Sequence, residues 1–137
     1  MRTATKPIPT PDPDSWPFWR AARQHQLLLQ RCPNCGHCRY PPKAFCNHCH
    51  TLGGEWRALR GRGRLVSWTV QHHLLTPAFA DELPYVVLLV ALEERPNVRL
   101  VGNLRGGTVD DLKIGRPGQA VFEDITDEIA LIHWQPV

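Results

Sequence analysis

Two pairs of closely spaced cysteines constrain the fold of this chain more than any other feature. Cys32 and Cys35 form the first pair, Cys46 and Cys49 form the second, and ten residues separate the pairs. This spacing is typical of a zinc ribbon, in which each pair lies in a tight turn and directs two sulfurs at one metal ion. Four thiolates leave zinc no open coordination position. We therefore predict one structural zinc ion per chain, in preference to a catalytic or redox centre, and we assign no catalytic residue.

The same segment contains further ligands that fit this pattern less simply. Cys38 is a fifth cysteine, and His37, His48 or His50 could each replace a sulfur. Two matching turns are the simplest arrangement, so Cys38 is assigned as a free thiol. The residue after each pair is expected to have a positive φ, which suits Gly36 and which His50 tolerates better than most residues.

The composition is that of an ordinary globular protein. Of 137 residues, 42% are hydrophobic and 21% are charged. No apolar run approaches the ~20 residues of a membrane span, and residues 1–16 lack the apolar core of a signal peptide. We expect a cytoplasmic protein without membrane contact, a setting in which clustered cysteines bind metal more often than they form disulfides.

The net charge of +3 conceals a local concentration of cations. Residues 31–64 contain seven lysines and arginines against one acid, Glu55, whereas residues 65–137 contain five against ten acids. This asymmetry favours a single anionic contact near the cysteine segment over a general attraction to anions.

The N-terminal part of the chain is expected to form an arm and one helix. Residues 1–14 contain alternating prolines, which exclude a helix and favour an extended segment, interpreted as a loose tail. A helix is predicted from about Ser15 to His25, with Asp14 or Ser15 as N-cap and Pro17 in its first turn.

The aromatic residues of this helix are candidates for contact with another subunit. Trp16, Trp19 and Ala22 are predicted to form one apolar stripe, with Phe18 off the stripe. Packing onto the protein's own body is the favoured interpretation, and Trp16, Phe18 and Trp19 are kept as candidate partner-binding residues.

The remainder of the chain has the pattern of short β-strands. Strands are predicted near residues 27–31, 63–73, 85–92, 98–104, 119–123 and 129–134, with one helical turn near residues 109–114. In the second of these, Val66, Trp68, Val70 and His72 are predicted to share one face, with Leu65 on the other. Five or six short strands suggest a small closed or partly closed barrel. We divide the chain into an arm (1–14), a helix with the zinc ribbon (15–55) and a barrel (56–137).

Several segments taken together resemble the domain-of-unknown-function family 35. They are LLLQRCPNCG, YPPKAFCNHC, GRGRLVSWTV, PYVVLLVALEE and DLKIGRPGQAVFED. The resemblance extends over about residues 15–135. Asn47 and His50 replace the proline and glycine that are usual in the second cysteine turn, and Cys38 is additional. The resemblance implies a mainly β protein with an N-terminal helix, a rubredoxin-like zinc ribbon and an OB-fold-type β-barrel.

The resemblance also implies a role that residue spacing does not reveal. Members of this family look like noncatalytic accessory proteins of acyl-CoA metabolism that associate with thiolase-like enzymes, including lipid-transfer-type thiolases and aldolases of side-chain degradation. We therefore expect a hetero-oligomer with a thiolase-like subunit, in which the binding of acyl-CoA is shared with the partner.

A cluster of cations is suited to the phosphates of coenzyme A. Arg60, Arg62 and Arg64 alternate along one predicted strand and would share a face, and Lys43 is a further cation in the ribbon. Phe79 is a candidate apolar wall for the same ligand. For any single arginine, a solvated strand edge is at least as good an explanation.

Two other functions compete with this one. OB-type barrels often bind single-stranded nucleic acids, but residues 65–137 sum to −5, so we expect no nucleic-acid contact. An independent enzyme of the acyl-CoA hydratase or thioesterase type would use His72 as a base oriented by Asp81 or Glu82. The chain has no nucleophile motif such as G-x-S-x-G to accompany these residues.

Overall fold

A computed structural model describes residues 5–137 and contains one α-helix, eight β-strands and two short 3-10 helices. In chain order the elements are α1 (Trp16–Arg23), β1 (Leu27–Arg31), β2 (Cys38–Arg39), β3 (Glu55–Leu59), β4 (Arg62–Gln71), a first 3-10 helix (Pro77–Glu82), β5 (Tyr85–Leu92), β6 (Arg99–Asn103), a second 3-10 helix (Val109–Asp111), β7 (Pro117–Asp124) and β8 (Ala130–Pro136). The predicted helix, the predicted strands and the helical turn near residue 110 are confirmed. Residues 1–4 of the predicted arm lie outside the described residues.

The helix α1 buries more than the predicted apolar stripe. Phe18, Ala21 and Ala22 are buried, in an i, i+3, i+4 pattern, whereas Trp16 and Trp19 are only half-buried. Trp19 and Ala22 of the predicted stripe face the interior, because Trp19 packs against the core and Ala22 is fully buried. Phe18, predicted to lie off the stripe, also enters the core.

The described part of the arm is extended but is held against the barrel. Lys6 Nζ lies 2.7 Å from Glu82 Oε1 and 5.6 Å from the centroid of the Phe79 ring. Two prolines of the arm also line a small cavity on the barrel surface. The expectation of a loose tail is thus wrong for this part of the chain, since an ion pair and apolar contacts attach it.

The ribbon is built on a three-stranded antiparallel sheet with the order β2-β1-β3. Every residue of β1, from Leu27 to Arg31, pairs with β3, and the end of β1 also pairs with β2. Leu27, Leu29 and Cys38 of this sheet are buried. The ribbon sheet therefore contributes one apolar face to the interior of the protein.

The second sheet has five antiparallel strands in the order β6-β5-β4-β7-β8. Its edge strands β6 and β8 approach each other, but within residues 5–137 an isolated bridge between Leu104 and Trp134 is the backbone pairing that joins them. The five-stranded sheet is therefore not closed into the predicted barrel, and we keep the name barrel for the domain of residues 56–137. We call the line where β6 and β8 meet the seam.

A β-bulge reverses the alternation of side chains in the middle of β4. The register with β5 shifts between Leu65 and Ser67. As a result Leu65 is buried and Trp68, three positions later, also packs against the core. Without the bulge, two residues three positions apart would point to opposite faces of the sheet. The prediction that Leu65 and Trp68 point to opposite faces of the sheet is wrong for this reason. His72, predicted to continue the same face, is exposed beyond the end of the strand.

One hydrophobic core joins the helix, the ribbon sheet and the barrel. Leu27 and Leu29 of β1 belong to the same buried cluster as Val90, Leu92 and Trp134 of the barrel. Burial of each such side chain stabilises the fold by about 1.5–3 kcal/mol. Because these side chains pack together, the ribbon and the barrel stabilise each other.

Candidate functional site

The four predicted zinc ligands converge on one point. The Sγ atoms of Cys32, Cys35, Cys46 and Cys49 all lie within 4.8 Å of one another. The Sγ–Sγ distance is 3.6 Å from Cys32 to Cys49 and 3.7 Å from Cys35 to Cys46. A tetrahedron with metal–sulfur bonds of about 2.3 Å has edges of about 3.8 Å. The sulfurs are therefore spaced as one zinc ion requires.

Both cysteine pairs lie in turns of the same design. In each turn the backbone N–H groups two and three residues after the first cysteine donate to its sulfur, at distances of 3.3–3.5 Å. The N–H four residues after that cysteine closes the turn on its carbonyl oxygen, at 3.0 and 2.9 Å. The closing residues are Gly36 and His50, with φ of 77° and 66°. This confirms the positive φ predicted at both positions.

The electrostatics of the cluster also fit a bound cation. The Thr51 hydroxyl, 3.2 Å from Cys49 Sγ, lowers the pKa of Cys49 to about 5. At Cys35 the backbone N–H of His37 lowers the pKa, but desolvation and the three neighbouring thiols outweigh it and raise the pKa to about 12. A charged sulfur thus opposes ionisation of its neighbours, and a divalent cation bound at the centre would remove that opposition. The residues present fit a structural zinc ion with a closed shell of four sulfurs.

Cys38 lies outside the four-sulfur cluster, as predicted, and serves another purpose. It is buried on β2, and Arg95 Nε donates to its Sγ at 3.2 Å. Asn97 Nδ2 donates to the carbonyl oxygen of Cys38 at 3.2 Å. Both partners lie between β5 and β6, so Cys38 connects the ribbon to a turn of the barrel.

The three arginines proposed to contact phosphate are all exposed. Arg60, Arg62 and Arg64 are exposed, while Gly61 and Gly63 between them are buried. Arg62 and Arg64 alternate along β4, whereas Arg60 lies in the connection before this strand. Within residues 5–137, none of the three forms a salt bridge with an acidic side chain. These cations, which we call the arginine row, are therefore available to an anionic ligand.

A fourth arginine extends the row and could not be recognised from the sequence. Arg64 pairs with Ala91 of β5, and Ala91 pairs with Arg99 of β6. Register neighbours point to the same face of a sheet, so Arg64 and Arg99 stand on either side of Ala91, about 10 Å apart at the usual strand spacing. Arg99 is exposed and, in the described chain, also lacks a salt bridge. Only the register of three strands reveals this position.

The two other predicted acyl-CoA contacts lie in different surroundings. Lys43 belongs to a ribbon loop, where its backbone N–H donates to Gln30 Oε1 at 2.8 Å and its side chain is exposed. Phe79 lies in the first 3-10 helix and, with Val70, lines a groove of about 590 Å³. Because Val70 follows Arg64 by six residues on β4, the groove lies about 20 Å from the row. The structure thus groups the arginines and places Phe79 at a separate groove.

The predicted partner-binding helix is used mainly inside the chain. Phe18 is 4% exposed, and its ring lies 5.2 Å from that of Trp19 and 5.3 Å from that of Tyr40. Trp16 and Trp19 are half-buried. Phe18 is therefore a core residue, whereas the two tryptophans keep part of their surface available to a partner.

The histidine of the enzyme alternative is not part of a catalytic arrangement in the described residues. His72 is exposed and does not line the groove beside Phe79. Neither Asp81 nor Glu82 forms a hydrogen bond with His72, and Glu82 is instead paired with Lys6 at 2.7 Å. The structure therefore offers no positioned base at this end of β4.

A polar network around the buried His133, also missed in the sequence, joins the strands at the seam. The Asn103 N–H donates to His133 Nδ1 at 3.1 Å, so the proton of the neutral ring is on Nε2, which donates to Glu123 Oε2 at 2.8 Å. Arg105 Nη2 donates to the same oxygen at 3.1 Å. Burial, followed by the charge of Arg105, lowers the pKa of His133. Both ring nitrogens are engaged, so the role of His133 is to join strands.

Comparison with known families finds two matches along the chain. Residues 19–53 match the family described as "ChsH2, rubredoxin-like zinc ribbon domain". Residues 56–123 match the family described as "ChsH2, C-terminal OB-fold domain". These matches confirm a mainly β chain in which a zinc ribbon precedes an OB fold.

Curated relatives include subunits of hydratases and archaeal scaffold proteins. The chain is 37% identical to a "Probable enoyl-CoA hydratase alpha subunit" of Thermomonospora curvata, over 97% of this chain and 40% of that protein. It is 32% identical to the "3-oxo-4,17-pregnadiene-20-carboxyl-CoA hydratase alpha subunit" of Mycobacterium tuberculosis, over 93% of this chain and 39% of that protein. The chain thus spans about two fifths of the length of these two relatives. A "DUF35 domain-containing scaffold protein" of Methanocaldococcus jannaschii is 30% identical, over 80% of this chain and 77% of that protein.

Solved structures show the same fold. A chain of the structure titled "Ltp2-ChsH2(DUF35) aldolase" is 37% identical, with a TM-score of 0.82, and the match covers 93% of this chain and 98% of that chain. A protein of unknown function from the DUF35 family of Sulfolobus solfataricus is 15% identical, with a TM-score of 0.63, and covers 91% of this chain and 86% of its own. Between residues 5 and 137, no helix is both long enough and apolar enough to cross a membrane.

Proposed function

Because this chain belongs to the DUF35 family of zinc-ribbon and OB-fold proteins, we propose that it is a noncatalytic accessory subunit of a thiolase-like enzyme. The partner would be a thiolase or aldolase of the lipid-transfer type, and the complex would be a cytoplasmic hetero-oligomer that binds acyl-CoA.

One observation carries this proposal: the chain matches, over 93% of its length at 37% identity, a chain of an Ltp2-ChsH2 aldolase. The match covers 98% of that chain, so nearly all of the solved chain has a counterpart here. Its title names two proteins and one aldolase, which supports a role as the subunit that accompanies an enzyme.

The chemistry of the chain supports an accessory role. A zinc ion held by Cys32, Cys35, Cys46 and Cys49 would supply a rigid cross-link, because four thiolates leave no position for a substrate. The buried His133 has both ring nitrogens engaged in hydrogen bonds. Neither site offers a group that is free to act on a substrate.

The arginine row supports a contribution to acyl-CoA binding. Planar guanidinium groups form paired hydrogen bonds with phosphate oxygens, and Arg60, Arg62 and Arg64 are exposed close together in the chain. We assign the phosphates of coenzyme A to this row, with Lys43 as a further cation. Phe79, at a groove distant from the row, is assigned to the opposite, apolar end of an extended acyl-CoA molecule.

Co-purification tests the subunit assignment. The tagged full chain is captured from its native host, and the bound proteins are identified and then separated by size-exclusion chromatography. We expect a thiolase-like enzyme in a stable complex. A lone monomer that itself turns over an acyl-CoA would contradict the proposal, above all if His72→Ala abolished that activity.

A charge-removal experiment tests the ligand assignment in the purified complex. Each charge-assisted contact contributes about 1.5–3 kcal/mol, so the double variant Arg62→Ala with Arg64→Ala should weaken coenzyme A binding by tenfold or more. Lys113→Ala is the matched control, because Lys113 is also an exposed cation but lies outside the row. Equal affinities for the double variant and the control would exclude phosphate contact at the row.

A further inference from the structure

We propose that Arg39 is a positioning residue of the zinc centre. Its buried guanidinium holds the hairpin of the second cysteine pair beside the first pair and balances the net charge of the occupied site. Arg39 lies on β2 and is 5% exposed. It is not a metal ligand, and the cysteine spacing that predicts the ligands gives it no role. The inference concerns the metal centre and does not depend on the accessory function.

The guanidinium of Arg39 joins the two ends of the second cysteine hairpin. This hairpin comprises residues 44–53, and its base is closed by the Gly53 N–H, which donates to the Ala44 carbonyl oxygen at 2.9 Å. Arg39 Nη2 donates to the carbonyl oxygens of Lys43 and Gly53, at 2.9 Å in each case. A single nitrogen atom therefore fixes the chain where it enters the hairpin and where it leaves it.

A buried glutamine holds the same hairpin from the neighbouring strand. Gln30 of β1 is paired with Arg39 in the register of β1 and β2 and is 6% exposed. Its Oε1 accepts a hydrogen bond from the Lys43 N–H at 2.8 Å, so the backbone of Lys43 is held through both its N–H and its carbonyl. Strand β1 ends immediately before Cys32 and β2 follows the first cysteine turn. The strands on either side of the first pair therefore position the hairpin of the second pair.

Arg39 is also a buried cation without a carboxylate partner. In the described part of the chain it forms no salt bridge, and its Nε and Nη1 atoms are buried without a hydrogen-bond partner. Glu55, the single acidic residue of residues 31–64, instead lies 3.1 Å from Arg31 and 3.3 Å from Arg57. An uncompensated buried charge strongly destabilises a fold, so this position requires a negative charge from another source.

The occupied metal centre supplies this negative charge. Four thiolates around one Zn²⁺ have a net charge of −2. Lys43, whose carbonyl oxygen Arg39 contacts, precedes Cys46 by three residues, a span of at most about 10 Å. Salt screens the attraction between buried charges at such a distance only weakly. Because the cysteines bind the metal as thiolates, Arg39 stabilises the zinc-bound state more than the zinc-free state.

The zinc affinity of the full chain tests this role. Arg39→Met keeps the apolar stem of the side chain but removes its charge and its hydrogen bonds. Loss of a residue that holds metal ligands in position typically weakens metal binding by about 10–100-fold, so the zinc Kd, measured by competition with a coloured chelator, should rise by about tenfold or more. Arg57→Met is the matched control, because Arg57 belongs to β3 of the same sheet but its side chain is 57% exposed. Its zinc Kd should equal that of the wild type.

A conservative variant separates the role of the charge from that of packing. Arg39→Lys keeps the cation but lacks the planar group that contacts two carbonyl oxygens, so its zinc Kd should lie between those of the wild type and Arg39→Met. Cobalt(II) bound in place of zinc should give the absorption spectrum of a tetrahedral four-sulfur site in every variant, because the ligands are unchanged. Melting temperatures with and without zinc are measured in parallel.

A merely structural role would lower the stability of the zinc-bound and zinc-free forms equally and leave the zinc Kd unchanged. An unchanged Kd for Arg39→Met, or an equal rise for Arg57→Met, would therefore overturn the proposal. Equal Kd values for Arg39→Lys and Arg39→Met would overturn the balance of charge. If Arg39→Met does not fold, Arg39→Gln replaces it as the neutral variant, and the same comparison with Arg39→Lys decides the outcome.

Discussion

Replacement of His133 by phenylalanine should open the seam of the barrel and lower the free energy of unfolding by about 2–4 kcal/mol. His133 is 5% exposed, and its ring joins the Asn103 N–H of β6 to the Glu123 carboxylate of β7. The contact between β6 and β8 therefore depends on this side chain, because the single backbone bridge between these edge strands is at Leu104 and Trp134 in the described residues.

The magnitude follows from the groups that the substitution leaves behind. Phenylalanine fills a similar volume but offers no acceptor to the Asn103 N–H, and an unpaired buried donor costs about 1–3 kcal/mol. It also removes a charge-assisted hydrogen bond that contributes about 1.5–3 kcal/mol. The Glu123 side chain is 38% exposed, so hydrogen bonds from water and Arg105 compensate for part of the lost bond to His133. The total loss of stability is therefore smaller than the sum of the two upper limits.

The pH dependence of stability gives a second signature. Burial, followed by the charge of Arg105, lowers the pKa of His133 from its ordinary value of 6.5. Just below pH 6.5 the unfolded chain therefore binds more protons at His133 than the folded chain does. The contribution of His133 to wild-type stability is fully present above that pH and decreases as the pH falls towards the folded-state pKa. Burial alone would raise the pKa of Glu123, but hydrogen bonds from Arg105 and His133 bring it below its ordinary 4.5. Protonation of Glu123 therefore causes a further loss of stability below pH 4.5.

Denaturant unfolding between pH 8 and pH 5 measures both effects. The midpoint for His133→Phe should be lower than that of the wild type at pH 8, and the gap should narrow as pH falls, since the variant lacks the titrating group. The reasoning would be refuted by a variant with wild-type stability at pH 8, or by one that retains the full wild-type pH dependence between pH 7 and pH 5.

Two further predictions concern the metal and a close backbone contact. Cys46→Ser should reduce the zinc content well below one ion per chain and lower the melting temperature of the whole protein, because the ribbon and the barrel share a core. Cys38→Ser should retain zinc. Metal analysis and thermal unfolding compare the two variants. Gly63→Ala should destabilise the fold by about 1–3 kcal/mol, because the new Cβ would lie 2.6 Å from the Ala91 carbonyl oxygen. Gly118→Ala on β7, whose Cβ would lie 3.5 Å from its nearest neighbour, should be tolerated, and equal stability losses would contradict this explanation.

The zinc ligands and the order of elements were predictable because both depend on local signals. Each cysteine turn is specified within a few residues, including the positive φ at Gly36 and His50. Strands such as Tyr85–Leu92 are marked by continuous runs of β-branched and apolar residues. The alternation of Arg62 and Arg64 along β4 was likewise visible, since it needs only the period of one strand.

The remaining features depend on pairing between distant segments and left no local signal. The bulge in β4 follows from its register with β5, so the alternating pattern around Leu65 and Trp68 was misleading. The seam network draws its residues from three strands, and Arg99 joins the arginine row only through the pairing of Ala91 with both neighbouring strands. The burial of Phe18 in α1 was not predicted, because aromatic spacing alone does not reveal every side chain that meets the core.

The junction between ribbon and barrel explains how a subunit with a closed metal centre could contribute to ligand binding. Strand β3 is paired with β1 along its full length, and β4, which carries most of the arginine row, begins three residues after β3 ends. The junction is held on both sides, because the Arg60 N–H donates to Glu94 Oε1 at 2.9 Å and Gln119 Nε2 donates to the Arg60 carbonyl at 3.1 Å. The hydrogen-bonded path from the zinc turns to the arginine row is thus continuous. A zinc ion held by the four cysteines would therefore fix the position of these cations through the geometry of the ribbon alone.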